Sequence, residues 1–152
     1  MFRTSPLDQD AQGRDGELLA EIDDLPIMTP SVHFTPDGNN LMGINLDGHA
    51  YLWSTSSWRL TRRFEESQPE LGWSMALSPD GRLLATGGMD IASAMNPSNL
   101  IIWDLESGES VRTIRLPHQV LGIDFSKDGS LIAVASLEDG VRLWEVSWLL
   151  TD

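Results

Sequence analysis

Apolar and polar residues alternate along short stretches of the chain, with the period of two that is typical of β-strands. Val32 and Phe34 alternate with Ser31, His33 and Thr35. Mainly apolar runs follow the turns downstream, at residues 41–46, 83–88 and 131–137. This pattern predicts an all-β protein of short antiparallel strands and requires no helix.

A turn motif recurs three times along the chain and divides it into repeats. The copies are Phe34-Thr35-Pro36-Asp37-Gly38, Leu77-Ser78-Pro79-Asp80-Gly81 and Phe125-Ser126-Lys127-Asp128-Gly129. Proline presets φ in the first two copies, and in all three aspartate bonds its own backbone and glycine accepts a positive φ, so each copy predicts a turn. A strand ending in tryptophan follows each copy, at Trp53, Trp103 and Trp144. The distance from turn to tryptophan matches in the first and third copies, whereas the middle copy carries an insertion at residues 89–99.

Further turns complete a unit of four strands. Asp47-Gly48 and Asp139-Gly140 are strong hairpin signals between the second and third strands. A fourth type of strand is predicted at residues 58–64 and 110–116, and another at 17–22 begins the series. We therefore expect an N-terminal tail at residues 1–15 and then three units, at about 16–57, 58–107 and 108–152.

The middle copy, with Ser78-Pro79-Asp80-Gly81 and Trp103-Asp104, is similar to a WD40 repeat, and the resemblance covers residues 16–146. It implies three four-stranded blades of a β-propeller, in a ring completed by oligomerisation or by further blades. Only Trp103-Asp104 is a literal Trp-Asp pair, since Ser54 and Glu145 replace the aspartate elsewhere. The family fold implies a platform that holds other proteins. Ligands usually bind at the end formed by the loops from fourth to first strand and from second to third strand.

The resemblance also implies a hydrogen-bonded set that ties each blade together, made of a histidine, a serine or threonine, an aspartate and the repeat tryptophan. The third unit matches best, with His118, Ser136, Asp139 or Glu138, and Trp144. The other units lack the histidine, so packing must contribute more there. The residues assigned to blade structure are Trp53, Trp103, Trp144, Asp47, Ser136 and Asp139.

The charge balance excludes several classes of partner. There are 23 acidic and 10 basic residues, a formal net charge of −13, and such a surface repels nucleic-acid phosphates and anionic lipids. The cluster of Arg59, Arg62 and Arg63 is the feature of the sequence that favours a nucleic-acid partner. No run approaches the roughly 20 apolar residues of a membrane span, and the start of the chain lacks a secretory layout. With zero cysteines, these features predict a cytoplasmic protein without nucleic-acid or membrane partners.

No residue pattern indicates catalysis. The three histidines, His33, His49 and His118, show no metal-binding spacing, and zero cysteines exclude thiolate ligands. Nucleophile-elbow, phosphate-loop and dinucleotide motifs are absent from the sequence. We expect no enzyme activity, no cofactor and no metal. A propeller enzyme is the alternative, and it would need His33, His118 or Asp124 to converge on one pocket near the central channel.

The insertion is the feature that most favours a binding surface, because insertions in repeats map to loops and often to a binding face. Neutral loop lengthening explains it equally well. The residues predicted to bind a protein or peptide partner are Met28, Leu71, Trp73, Met89, Asp90, Met95, Asn96 and His118. Trp73 has no counterpart in the other units and is alternatively a filler between blades.

Three blades leave an open arc, since propellers typically have 4 to 8 blades. The sequence therefore predicts self-association into a closed ring, preferably of two copies and alternatively of three. In such a ring, residues 17–22 would complete the last blade of a neighbouring copy beside the strand at residues 141–146. The rival interpretation is a part of a longer or split propeller without independent activity. Residues 147–152, which resemble the start of another fourth strand, favour the rival.

Overall fold

Eleven short strands and one helical turn make up the part of the chain that is described in the computed structural model, which comprises residues 20–22, 28–64, 71–90, 92 and 96–151. The strands are β1 (Ser31–Phe34), β2 (Asn40–Ile44), β3 (Ala50–Ser54), β4 (Leu60–Arg63), β5 (Leu71–Leu77), β6 (Leu83–Met89), β7 (Ser98–Asp104), β8 (Ser110–Leu116), β9 (Val120–Phe125), β10 (Leu131–Ser136) and β11 (Gly140–Glu145). The helix α1 spans Val146–Leu149. The predicted all-β class is confirmed.

The strands form three antiparallel sheets, each from consecutive hairpins. The first sheet has the order β1-β2-β3-β4 and the second β5-β6-β7-β8, while the third holds three strands, β11-β10-β9, within the described residues. The fourth strand of each four-stranded sheet pairs with the strand that immediately precedes it in the chain, as β4 does with β3. The repeat units predicted from the sequence therefore begin with the strand that completes the preceding sheet.

The repeated aspartate turns are held by their own side chains. In the middle copy, the Ser78 hydroxyl donates to the Asp80 carboxylate at 2.6 Å and the Arg82 amide donates to it at 3.1 Å. Gly81 adopts φ of 72°, which costs glycine little. These bonds lower the pKa of Asp80, the largest cause being the Ser78 hydroxyl. The predicted turn chemistry is thus present.

The second sheet lies between the other two, so both of its faces are apolar. Met75, Leu84 and Trp103 pack toward the first sheet, whereas Ala85 and Ile102 pack toward the third. Every residue from Leu83 to Gly88 in β6 is buried, as expected for a strand covered on both sides.

Two arginines in fourth strands donate hydrogen bonds to backbone carbonyls outside their own sheet. Arg62 of β4 donates to the carbonyl oxygens of Leu105 (2.8 Å) and Glu106 (3.1 Å) in the second sheet. Arg112 of β8 sits opposite Ile102 as Arg62 sits opposite Leu52, and it donates to the Leu149 carbonyl at 3.1 Å and to that of Thr151. Charged donors strengthen such bonds, so Arg62 ties the first sheet to the second, and Arg112 ties the second sheet to the helical turn that follows the third.

Glycine permits close approach at each contact between sheets. A Cβ atom on Gly72 would overlap the Asn45 carbonyl and Ile44 of the first sheet. A Cβ atom on Gly87 would overlap Val120 of the third sheet. At each contact a glycine of the second sheet therefore faces a branched side chain. The glycine belongs to the later sheet at the first contact and to the earlier sheet at the second.

The two ends of the chain differ from expectation. Of the strand predicted at residues 17–22, residues 17–19 lie outside the described residues and Ala20, Glu21 and Ile22 are not in a strand. The strand start predicted at residues 147–152 is wrong, because Val146–Leu149 form α1 (Asp152 lies outside the described residues). Val146 and Leu149 are three residues apart and so share a helix face, and both are buried in the core between the second and third sheets.

Candidate interaction surface

A buried hydrogen bond ties the second sheet together. The Trp103 indole nitrogen donates to the Thr86 hydroxyl at 2.9 Å, and both side chains are at most 2% exposed. The sequence pattern alone does not mark Thr86 as a functional residue. Gly43 and Val134 occupy the equivalent place, counted from the turn aspartate, in the first and third units. The Trp53 indole nitrogen accordingly has no hydrogen-bond partner among the described residues.

The third sheet carries a histidine–carboxylate pair instead. His118 Nδ1 lies 2.7 Å from Asp139 Oδ2, and Arg142 lies 3.0 Å from Asp139 Oδ1. The implied role of Ser136 in this set requires correction. Its hydroxyl is buried without a hydrogen-bond partner within the described part of the chain, because Val134 takes the position beside Trp144.

Asp47 organises its hairpin rather than reaching a tryptophan. Its carboxylate accepts the His49 amide at 2.9 Å and the Tyr51 hydroxyl at 2.5 Å. Tyr51 in turn stacks on Trp53, with ring centroids 5.9 Å apart. The hydrogen bonds of Asp47 therefore hold Tyr51 in place against Trp53 in the first sheet.

The insertion is fastened at its start. The Asp90 carboxylate accepts the Ala92 amide at 2.8 Å and the Asn96 side-chain amide at 2.6 Å, and these bonds lower the pKa of Asp90, with Asn96 the largest cause. The Ser98 hydroxyl donates to the Gly88 carbonyl at 2.7 Å where the chain returns to β7. The insertion therefore leaves and rejoins the sheet at fixed points.

Gln119, which no sequence motif marks, connects the insertion to the third sheet. Its side chain is 2% exposed, and its amide donates to the Asp90 carbonyl. His118 immediately precedes it. Asp90, Asn96 and His118 therefore lie around one junction between two sheets. In the sequence, the signal that could have pointed to Gln119 is its position directly after the candidate His118.

Of the remaining predicted partner-binding residues, those that the structure describes lie at the same end of the sheets. Leu71 pairs with Met89 across β5 and β6, and Trp73 stands half-buried at the register shift of β5. Met28 is 58% exposed, and its carbonyl accepts the Leu46 amide at 3.1 Å. Met95 lies outside the described residues.

Two clefts open at the opposite end, where the aspartate turns lie. One, of about 310 Å³, lies between the first and second sheets, and the other, of about 380 Å³, lies between the second and third. Their carboxylates include Asp37, Asp80, Asp104 and Asp128, whose pKa values are all lowered by hydrogen bonds. Neither cleft is lined by His33, His118 or Asp124, the residues that the enzyme alternative needs.

No three potential ligands of a metal ion cluster within the residues described. Within the same residues, no helix has the length and apolar character needed to cross a membrane.

Three antiparallel sheets of three or four strands pack one against the next, with repeated turns and a tryptophan in each third strand. This arrangement defines a protein of β-propeller blades. The model of the family "WD domain, G-beta repeat" matches residues 60–90 and 108–145. The chain belongs to the WD40-repeat family, as the resemblance implied.

Relatives and solved structures agree with this assignment. Eukaryotic translation initiation factor 3 subunit I of Scheffersomyces stipitis is 33% identical over 105 residues, which cover 68% of the chain and 28% of that protein. Periodic tryptophan protein 2 of Arabidopsis thaliana is 25% identical over 118 residues, covering 76% of the chain and 12% of that protein. The chain thus spans less than a third of these relatives.

Two solved structures share the fold. "Structure of U3-55K" matches with a TM-score of 0.71 at 21% identity, covering 82% of the chain and 38% of that structure. "Crystal structure of RRP9 WD40 repeats" matches with a TM-score of 0.70 at 21% identity, covering 82% and 37%.

Proposed function

We propose that this protein is a non-catalytic scaffold of the cytoplasm, which binds a protein or peptide at the loop end that carries the insertion. The observation that carries the proposal is the anchoring of the insertion. Asp90 is held by Asn96 within the loop and by Gln119 from the neighbouring sheet. Neutral lengthening does not require contacts from two sheets, whereas a binding loop gains affinity when its conformation is fixed beforehand.

Replacement of residues 90–97 by Asp-Gly tests this proposal. The register that pairs Gly87 with Leu100 continues to place Met89 opposite Ser98, so a two-residue turn closes the hairpin. We expect the shortened protein to fold and to lose at least tenfold in affinity for peptides selected on the intact protein from a random display library. A control variant, Asp37→Asn, alters a turn at the opposite end. Equal binding of the selected peptides by the shortened protein contradicts the proposal.

The charge distribution supports the exclusion of nucleic acid as a partner. Of the clustered arginines, Arg62 donates to backbone carbonyls of the second sheet, and Arg63 lies 2.8 Å from the His49 ring nitrogen Nε2. Both guanidinium groups therefore serve internal contacts. A net charge of −13 opposes approach of a phosphate backbone, and the same field opposes an anionic membrane.

We also propose that copies of this chain associate into a closed ring, of two copies by preference and alternatively of three. The supporting observation is β11, which pairs only with β10 within the described residues. An unpaired, apolar edge strand recruits another chain, and Val141 and Leu143 of β11 are 67% and 64% exposed. Light scattering measures the assembly. A stable monomer contradicts this proposal and favours blades supplied by another chain or by a longer gene product.

A further inference from the structure

The outer face of the third sheet repeats a face that is buried elsewhere in the molecule. Leu131, Val141 and Leu143 on this face are 38%, 67% and 64% exposed. Their repeat equivalents in the second sheet are Leu83, Leu100 and Ile102, which are at most 7% exposed because the third sheet covers them. The third sheet therefore presents a complete blade-binding face with no blade on it in the described residues.

The first sheet presents the complementary face. Its first strand carries Val32 and Phe34, which are 55% and 61% exposed. The equivalent residues of the second sheet, Met75 and Leu77, pack against the sheet that precedes them, and Phe125 of the third sheet does the same. Tyr51 and Trp53, farther out on the first sheet, are already buried, so the open part of this face is strand β1.

Side-chain size at the closest contact matches these two faces to one another. Within the chain, Ile44 meets Gly72 at one contact and Gly87 meets Val120 at the other. Counted from the turn aspartates, the same two positions on the open faces are Ala135 and Thr29. Alanine with threonine occupies about the same volume as glycine with isoleucine or valine. Close-packed interfaces require such a match of combined volume.

We infer that a second copy of this chain docks head to tail, with strand β1 of its first sheet against the outer face of the third sheet. The inference rests on the self-association proposed above and assigns the faces that meet. Thr29 of one copy meets Ala135 of the other, while Phe34 covers the patch formed by Leu131 and Leu143. Because the two faces differ, the contact is heterologous, and repetition of a heterologous contact closes a ring when the rotation fits.

Two substitutions test which faces meet. Leu143→Arg blocks only the third-sheet face, and Phe34→Arg blocks only the first-sheet face. Both side chains are more than half exposed, so each variant should fold. Val111→Arg is the control, because Val111 is also exposed (43%) but lies in the fourth strand of the middle sheet. Circular dichroism and thermal melts confirm folding before light scattering is measured.

We expect the unaltered protein and Val111→Arg to have two or three times the mass of one chain. Each blocked variant alone should be a monomer. An equimolar mixture of Leu143→Arg and Phe34→Arg should form a 1:1 dimer, since one intact pair of faces remains. If Phe34→Arg still self-associates, or if the mixture stays monomeric, the inference is overturned although self-association itself stands. A monomeric unaltered protein overturns both.

Discussion

Thr86 is the hydroxyl that satisfies the buried Trp103 indole. Thr86→Val keeps the shape of the side chain but leaves the indole N–H without an acceptor. Loss of a partner for a buried donor costs about 1–3 kcal/mol. We expect urea denaturation to show a decrease of that size in the free energy of unfolding.

The control for this substitution is Thr61→Val, which removes an exposed hydroxyl bonded to the Leu52 carbonyl at 3.0 Å. Its expected effect is within about 0.5 kcal/mol, as is usual for surface substitutions. Equal losses for the two variants would show that the indole bond contributes nothing specific.

Residue-scale roles were only partly predictable from the sequence. The resemblance correctly pointed to the proximity of His118 and Asp139, but it placed the strand hydroxyl at Ser136. Ser136 and Val134 lie two residues apart on one strand, so alternation alone does not distinguish them. The strand register distinguishes them, because it pairs Trp144 with Ile132 and so places Val134 nearer to that tryptophan than Ser136. Likewise, Trp58 adopts φ of 53° where the second unit has Gly108, a conformation that no tryptophan pattern predicts.

The aspartate turns make stability depend on pH. Hydrogen bonds from Ser126 and Ser130 lower the pKa of Asp128 to about 2, whereas the same carboxyl in the unfolded chain keeps its ordinary pKa. As the pH falls from about 4 toward 2, the unfolded state binds more protons and is favoured. The unaltered protein should therefore lose more stability between pH 5 and pH 2 than Asp128→Asn does, as measured by urea denaturation. Parallel losses would contradict this role of the turn.

Packing between neighbouring sheets depends on which side supplies the glycine. Gly87→Val should overpack against Val120 and cost about 1–3 kcal/mol, and Val120→Gly should leave a cavity of similar cost. The double variant reproduces the arrangement of Ile44 and Gly72, so most of the stability should return. A thermal or denaturant double-mutant cycle measures this coupling.

Gly122→Val is the matched control for that cycle, since the nearest atom to a Cβ added at Gly122 is the Ala135 Cβ at 3.8 Å. It should be tolerated alone. Strictly additive losses in the double variant of Gly87 and Val120 would show that the two side chains do not share one space.

At the scale of strands and turns, the sequence predicted most of the structure. Local chemistry decides the aspartate turns, and Ser110–Leu116 coincides with the predicted fourth strand. The helix at Val146–Leu149 was missed because residues 147–151 resemble residues 57–61, whereas burial of Val146 and Leu149 decides their conformation. Tertiary packing, which one sequence does not display, overrides local similarity there.

The charge of the whole molecule leads to a prediction about nucleic acids. With a net charge of −13 and with Arg62 and Arg63 engaged in internal contacts, the described part of the chain presents no basic stripe. We expect no gel shift of DNA or RNA at physiological salt. A shift that disappears in a triple variant of Arg59, Arg62 and Arg63 to serine would contradict this expectation.

The position of the second sheet between two neighbours has a consequence for local opening. Its amide groups are covered on both faces, and Arg62 attaches it to the first sheet while Arg112 attaches it to α1. In a stacked array, each layer gains stability from its nearest neighbours. Hydrogen–deuterium exchange should therefore be slowest in β6 and β7, and fastest in β11, where solvent reaches the outer edge. Fluctuations in this molecule would then begin at the layer that exposes Val141 and Leu143 and travel inward, which makes that layer the first target of a protease.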